Sequence, residues 1–449
     1  MSGYAEYREV NLPWLKAVPA HWEIRRNKNI FTEQKEIVGE RSADYTLLSL
    51  TLNGIIPRDM DGGGKFPESF DKYKIVKNGD MAFCLFDIDE TPRTVGMSGY
   101  NGMLTGAYTI MRVSNINARF IYYYYLALDN GKMLRPLYTG LRKTININTF
   151  QSTKVPVPPR GEQDQIVRFL DWKVSSINKL IRIRKRRIEE LEAIKRSSIG
   201  YLVMGQAQSI PQRGTAVSWV KTIPAHWNEK SLIQVAEEQQ IKNAGMVEDN
   251  LLSLSYGKII NKDIKTTDGL LPSSFEGYQI VHDGNIILRL TDLQNDHKSL
   301  RTGLVTQTGI ITSAYTCLNV RHNILPEYLQ LQLHVADLCK VFYGMGGGVR
   351  QSIGFKEIRK LVIAIPPVEE QQHILDSVHS IEKPINCAIQ NSRDIIAGLE
   401  DLKMRLISDT VTGKIDVRGI EIPEYEFVDE DTDTGNEDGS EEETEEQED

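Results

Sequence analysis

The sequence predicts a mixed α/β chain made of two copies of one mostly β globular domain. Each copy is closed by a long helix, and the two helices are suited to pair with each other. Three observations predict this: a pentapeptide that occurs twice, a common internal order in the two halves, and an apolar heptad at the end of each half.

The pentapeptide is "VPAHW" at Val18 to Trp22 and "IPAHW" at Ile223 to Trp227, in a chain with only eight His and five Trp. Aligning the two extends the match in both directions, and internal repetition constrains the fold before any local reading does. Trp14 pairs with Trp219, "LLSLTLNGII" (47–56) with "LLSLSYGKII" (251–260), and "PESFDKYKIVKNGD" (67–80) with "PSSFEGYQIVHDGN" (272–285). "GMLTGAYTIMRV" (102–113) pairs with "GIITSAYTCLNV" (309–320), "YTGLRKTI" (138–145) with "GMGGGVRQSI" (344–353), and "VPPRGEQDQI" (157–166) with "IPPVEEQQHI" (365–374). The offset drifts only from 204 to 208, so the chain reads as a tandem duplication.

Within each copy, short apolar, β-branched and aromatic runs such as "YTLLSL", "MAFCLF" and "NIILRL" alternate with Gly, Pro, Asn and Asp. That is the pattern of strands and turns, with "ARFIYYYYLALDNG" as a helix among them. The Pro pair and the following Glu162 or Glu370 then suit a helix N-terminus, where the dipole favours negative charge. The expected division is a first domain over 1–158, a long helix over 159–204, a linker over 205–218, a second domain over 219–366, a second long helix over 367–413, and a C-terminal segment over 414–449.

Both helices carry apolar residues at alternating spacings of four and three. In the first these are Leu170, Val174, Ile177, Ile181, Ile188, Leu191 and Ser198; in the second, Val378, Ile381, Ile385, Ala388, Ile395, Leu399, Leu402 and Leu406. Such spacing marks a coiled-coil seam, and about 40 residues at 1.5 Å each give a rod of about 60 Å. Packing of each helix on its own domain is the alternative. The heptad puts Arg184 on the seam, where its charge either reaches out to water or pairs across the interface. The surrounding "RIRKRR" (182–187) is read as a solvated helix face or a contact for a partner.

Charge is unevenly placed. The net charge is −8, but 15 acidic residues and no Lys or Arg lie between Glu424 and Asp449, so 53 basic residues face 46 acidic ones over 1–423. A body of net +7 with an acidic tail is compatible with nucleic-acid binding, and the tail itself reads as a solvated, disordered segment. No run of 18 apolar residues suggests a membrane span, and no signal-peptide layout opens the chain, so a cytoplasmic location is expected. Cys84, Cys317, Cys339 and Cys387 are far apart, which predicts buried free thiols and no metal site.

No recognisable catalytic motif is present in the sequence. "GGGKF" and "TGKID" lack the spacing of a phosphate-binding loop, and neither an F-x-G-x-G loop nor a [DN]-P-P-[YF] motif is present. His21 and His226 recur beside Trp in a structural position, which predicts packing at the entrance of each domain. "GMGGGVR" (344–350) is read as a tight turn or as a phosphate cradle, with Arg350 and its counterpart Arg142 as phosphate or base contacts.

Two copies of a domain opened by "PAHW" and closed by "PP..EQ", each followed by a long helix, the second ending in "LISDTVTGKIDVRG" (406–419), resemble the specificity subunit of type I restriction-modification systems. The resemblance spans roughly residues 10–420. It implies two tandem-duplicated target recognition domains separated by a long antiparallel coiled coil of two helices. Each domain would read one half of a split target in double-stranded DNA. It implies a non-catalytic chain with no cofactor or metal of its own. Two methyltransferase subunits would bring S-adenosylmethionine, and restriction (translocase) subunits would bring ATP and Mg chemistry. Where the copies differ, side chains are free to read different bases. "LFDIDETPRTVGMSG" (85–99) and "LTDLQNDHKSLRTGLVTQ" (290–307) share a frame but not side chains, and Arg93, Lys298 and Arg301 lie there. Arg142, Lys143, Arg350 and Gln351 in the second loop complete the candidate DNA contacts. A scaffold that never reads DNA and a self-sufficient DNA-modifying enzyme are the competing readings, the latter disfavoured by the missing motifs.

Overall fold

The computed structural model describes residues 2–52, 54–58, 67, 69–138, 143–206, 210–264, 274–293, 296, 300–321, 323–345 and 352–429. The chain divides into two compact units. Unit 1 runs to Arg186 and resumes at Asn391, and unit 2 spans Arg187–Gln390.

Unit 1 is built on a four-stranded antiparallel sheet of β1 (Phe31–Gln34), β2 (Met81–Phe83), β3 (Val95–Met97) and β4 (Thr109–Val113), in the order β1-β4-β2-β3. Short antiparallel pairs flank it, among them Leu48–Thr51 with Gly54–Pro57 and Glu23–Arg26 with Lys154–Val157. Helix α1 (Ala118–Asn130) begins at Asn117, whose side chain accepts from the Arg119 and Phe120 N–H groups that an N-terminus leaves unpaired. Its Phe120, Tyr124 and Tyr125 are fully buried in the same cluster as Phe31, Phe83 and Phe150. Helix α2 (Arg160–Val203) follows.

Unit 2 repeats this plan with β5 (Ala236–Gln239), β6 (Ile286–Leu288), β7 (Thr302–Leu304) and β8 (Thr316–Val320), ordered β5-β8-β6-β7. Helix α3 (Pro326–Leu338) opens with Pro in its first turn, where a missing N–H costs nothing. Helix α4 (Val368–Val411) matches α2 in length at 44 residues, and it carries Pro384 in its interior. The division between the units falls inside both long helices.

The repeated pentapeptide has a structural cause. In unit 1 the Trp22 indole N–H donates to Glu162 Oε1 at 2.9 Å, the His21 ring lies 2.7 Å from Oε2, and the Tyr4 hydroxyl donates to Oε1 at 2.5 Å. In unit 2 Trp227 donates to Glu370 Oε1 at 3.0 Å and His226 lies 2.8 Å from Oε2. Hydrogen bonds to a charged acceptor are worth about 1.5–3 kcal/mol each, so the first turn of the long helix is pinned to the start of the domain. The end of the other long helix completes the joint. Gly413 (φ +77°) leaves no room for a Cβ, which would lie 2.4 Å from Pro19, and Gly205 (φ +66°) meets Pro224 in the same way at 2.5 Å. The next residue of the motif reaches sideways. Gln163 accepts from the Asn117 N–H and donates to Pro158 O, and Gln371 accepts from the Leu325 N–H and donates to Pro366 O.

Inside each unit the two helices run side by side in opposite directions. In unit 1 Lys403 donates to Asn178, and Ile407 and Val411 share a core with Ile166, Phe169 and Leu170. In unit 2 Lys195 meets Asn386 and Glu382, and Ile199 and Val203 share a core with Ile374, Leu375 and Val378. Of the heptad residues, Leu170, Ile177, Ile181, Leu191 and Val378 are buried, whereas Val174, Ile188, Ile385, Ile395, Leu399 and Leu406 are partly so. Leu402 departs from the expectation at 51% exposed. At 100° per residue it falls on the flank, while Lys403 and buried Ile407 take the inner face. Arg184 is exposed, as are all six residues of "RIRKRR".

Two further expectations are corrected. Cys339 and Cys387 are exposed; only Cys84 and Cys317 are buried, where desolvation pushes the Cys317 thiol up to about 12. The first residues of the acidic tail are docked: Ser175 Oγ donates to Glu426 O and accepts from the Val428 N–H, Asn178 donates to Val428 O, and Val428 is buried. An extended segment with unpaired backbone groups finds partners on the polar side chains of α2.

Candidate nucleic-acid interface

Each unit carries a loop between the second and third strands of its sheet in chain order, β2 to β3 in unit 1 and β6 to β7 in unit 2. It is closed at its base by the same bond, Cys84 N–H to Thr94 O at 2.8 Å in unit 1 and Arg289 N–H to Arg301 O at 2.9 Å in unit 2. Both loops turn at an Asp with positive φ, Asp87 (+46°) and Asp292 (+54°), a conformation Asp tolerates better than most residues. A second loop returns beside the first: Ile145 N–H donates to Leu85 O, and Ile353 N–H to Leu290 O. The structure therefore joins the first loop to the second in both units.

A buried Asp near the end of the domain helix holds the far side of the first loop. Asp129 accepts from the Thr94 N–H and hydroxyl at 3.0 and 2.6 Å, and Asp337 accepts from the Arg301 N–H at 2.8 Å. Burial raises the Asp337 carboxyl above its ordinary value. In both units a Tyr ties the second loop down, with different chemistry. Tyr138 donates to Asp89 Oδ2 at 2.9 Å, and Arg135 donates to Asp89 Oδ1 at 2.9 Å. Partial burial opposes ionisation of Asp89, but these bonds outweigh it and hold its carboxyl below the usual range. In unit 2 Tyr343 donates to Asp296 O and accepts from Arg301 Nε at 3.0 Å.

A hairpin completes the group. The pair Leu48–Thr51 and Gly54–Pro57 has its tip beside the first loop of unit 1, since Arg93 donates to Leu52 O at 3.2 Å. Its counterpart Leu252–Ser255 and Lys258–Asn261 lies beside Leu300 in unit 2, with 3.2 Å between Leu300 and the position a Cβ on Gly257 would take. Each unit thus assembles two loops and a hairpin at one place, in the same frame with different side chains.

Comparison with known proteins agrees with this doubled plan. The family described as "Type I restriction modification DNA specificity domain" matches residues 83–193 and again residues 303–395. The chain resembles the type I restriction-modification specificity subunits in both halves. A curated protein of Methanocaldococcus jannaschii, named as a type I restriction enzyme MjaX specificity subunit, is 22% identical over 424 residues, which is 89% of this chain and 95% of that protein. A chain from work described as "Structural basis underlying complex assembly and conformational transition of the type I R-M system" shares the fold at a TM-score of 0.58, with 13% identity over 89% of this chain and 99% of its own. The crystal structure of the HsdS subunit from Thermoanaerobacter tengcongensis aligns over 89% of this chain and 98% of its own, at 13% identity and a TM-score of 0.42.

The basic residues chosen from sequence have varied fates. Arg301 is corrected: it is fully buried, and its guanidinium donates to the carbonyls of Arg289, Thr291, Asp292 and Asp296, so it shapes the loop from inside. Arg93 is mostly buried and donates to Asn130 Oδ1 at 2.7 Å as well as to Leu52 O. Lys143, at φ +44°, sits between Asp89 and Glu90 at 3.4 and 3.3 Å. Arg142, Lys298, Arg350 and Gln351 lie outside the described residues. Sequence reasoning overlooked Tyr138 and Tyr343, although both stand at the start of the aligned second loops; their recurrence was the available signal. Among the described residues no group of His, Cys, Asp or Glu is arranged to hold a metal ion, and no helix is long and apolar enough to cross a membrane.

Proposed function

We propose that this chain is the non-catalytic specificity subunit through which a type I restriction-modification complex reads a bipartite DNA target, one unit per half-site. The observation that carries the reading is the doubled assembly of two loops and a hairpin, held by equivalent bonds at Thr94 and Asp129 and at Arg301 and Asp337, yet lined by different side chains. A common frame with divergent side chains is what two readers of two different sequences require.

On this reading the chain is a tandem duplication, with target recognition domains over 1–158 and 219–366, and the paired long helices are an antiparallel spacer between the readers. An internal pseudo-twofold offers equivalent surfaces to two methyltransferase subunits. Those partners supply S-adenosylmethionine and the methyl transfer, and restriction subunits supply the ATP- and Mg-dependent steps. The test is a methylome of cells carrying the cognate methyltransferase with this chain or with a chimera in which residues 10–157 come from a relative. Replacement of one half of the methylated motif is expected. A change in both halves counts against independent readers, absence of any sequence preference favours the scaffold reading, and methylation or cleavage by the purified chain alone favours the enzyme reading.

A further inference from the structure

Two large apolar side chains stand in water at the same place in the two units. Tyr256 is 81% exposed at the tip of the unit 2 hairpin, and Leu52 is 57% exposed at the tip of the unit 1 hairpin. A single exposed apolar residue needs no explanation, but here the position recurs. Tyr256 also adopts φ +47°, followed by Gly257 at +75°. A two-residue hairpin turn of this kind favours Asn or Gly at its first position, and a bulky aromatic there is strained. Strain retained at an exposed tip, with no buried contact in return, points to a partner outside the chain.

The surroundings state the partner's chemistry. Lys258 and Lys262 are exposed on the strand that leaves Tyr256, and Arg58 is exposed where the equivalent strand of unit 1 ends. Strand alternation puts Lys258, Ile260 and Lys262 on the face opposite buried Leu252 and Leu254. The tips adjoin the variable loops through Arg93 and Leu300. Cations beside an apolar tip, next to the loops assigned to base reading, complement a duplex, whose phosphates are anionic and whose bases offer flat apolar faces and thymine methyl groups.

Resting on the specificity reading above, we propose that the hairpin tips are DNA-contacting elements. Tyr256 sets its ring against a base of the half-site read by unit 2, and Leu52 does the same with its aliphatic side chain for unit 1. Lys258, Lys262 and Arg58 hold the adjacent phosphates. The frame is shared and the tips differ, so Leu against Tyr contributes to the difference between the half-sites.

The experiment uses the full chain assembled with its cognate methyltransferase subunits, with duplexes selected from a randomised library by the wild-type complex as probe. Tyr256→Gly relieves the left-handed strain, so thermal stability is expected to hold or rise. Binding to the selected duplex is expected to fall about 5- to 100-fold, the range for losing one aromatic contact to a base. Reselection with Tyr256→Gly should relax the second half-site only, and with Leu52→Ala the first half-site only. Affinity within twofold of wild type and unchanged selected motifs overturn the proposal. So does loss of binding that tracks loss of methyltransferase from the purified complex, since the tips would then be partner contacts. A wild-type complex that selects no motif at all overturns the specificity reading itself, and this inference with it.

Discussion

The Lys195 ammonium donates to the Asn386 side-chain carbonyl at 3.0 Å, and Lys403 repeats the bond to Asn178 at 3.4 Å, each residue 208 positions from its counterpart. The first pair lies at the exposed edge of the helix contact and the second is half-buried, and together they mark the same antiparallel register in the two units. The pairing also assigns neighbours: Leu191, four residues before Lys195, faces the helix near Gln390, four residues after Asn386.

That register gives a ruler test of the proposed spacer. Heptads inserted together after Leu191 and after Gln390 should lengthen it by about 10 Å, equivalent to about three base pairs at 3.4 Å each. A heptad keeps the helix face to within about 20°, but three base pairs rotate the groove by about 100°. The selected target should carry a spacer longer by about one to three base pairs, with weakened binding. Recovery of the original spacer at unchanged affinity would falsify the ruler.

Arg301 should be a positioning residue. Arg301→Ala leaves a set of loop carbonyls without their donor and is expected to destabilise unit 2 by about 3 kcal/mol. Arg301→Lys keeps the charge but loses the planar fork. Amide exchange in 286–304 should accelerate in both variants while 81–97 is unchanged. Equal protection in the two segments would show that the loop stands without it.

The raised pKa of Asp337 makes a pH prediction. The native state holds this proton more tightly than the unfolded chain, so the group's stabilisation is complete below the ordinary carboxylate range and declines as pH rises through the raised value. The Arg301 N–H and the charges of Lys340 and Arg301 oppose the shift, and Asp296 adds to it. Asp337→Asn keeps an acceptor for the Arg301 N–H and cannot ionise. Its Tm relative to wild type should therefore climb as pH is raised from about 4. Parallel Tm curves would remove the assigned cause.

The C-terminal segment separates into two functions. Truncation after Asp429 should leave unit 1 as stable as the full chain. Truncation after Pro423 removes the partners of Ser175 and Asn178 and the Phe427 ring beneath Arg119, and is expected to cost about 1–3 kcal/mol. If the acidic residues beyond Asp429 compete with phosphate, the shorter loss should also tighten non-specific duplex binding, most at low salt. Identical salt titrations of the two truncations and the full chain would confine the tail to solubility.

Glu162 is the hub of the domain joint. Glu162→Ala removes the acceptor for Trp22, His21 and Tyr4 together and is expected to cost about 2–4 kcal/mol, with Trp22→Phe costing less because His21 and Tyr4 still reach the carboxylate. Equilibrium unfolding of both variants provides the measure, and equal losses would contradict a shared hub.

The sequence by itself determined what depends on local pattern and repetition. "PAHW" and "PP..EQ" recur because their Trp, His and Glu meet in the same joint of each unit, and heptads are legible because helical periodicity is a property of near neighbours. Even there Leu402 was misplaced, since seam direction drifts with the 3.6-residue turn until tertiary packing sets it. Only the tertiary structure decided which charges face outward. Arg93, Lys143 and Arg301 are alike as cations in a variable stretch, yet Arg301 is buried because a loop folded around it supplies carbonyl acceptors from residues 289–296. Leu52 and Tyr256 stand in water because a hairpin turn falls on them. Burial belongs to the assembled chain: the partners that desolvate or expose a side chain come from segments brought together by folding.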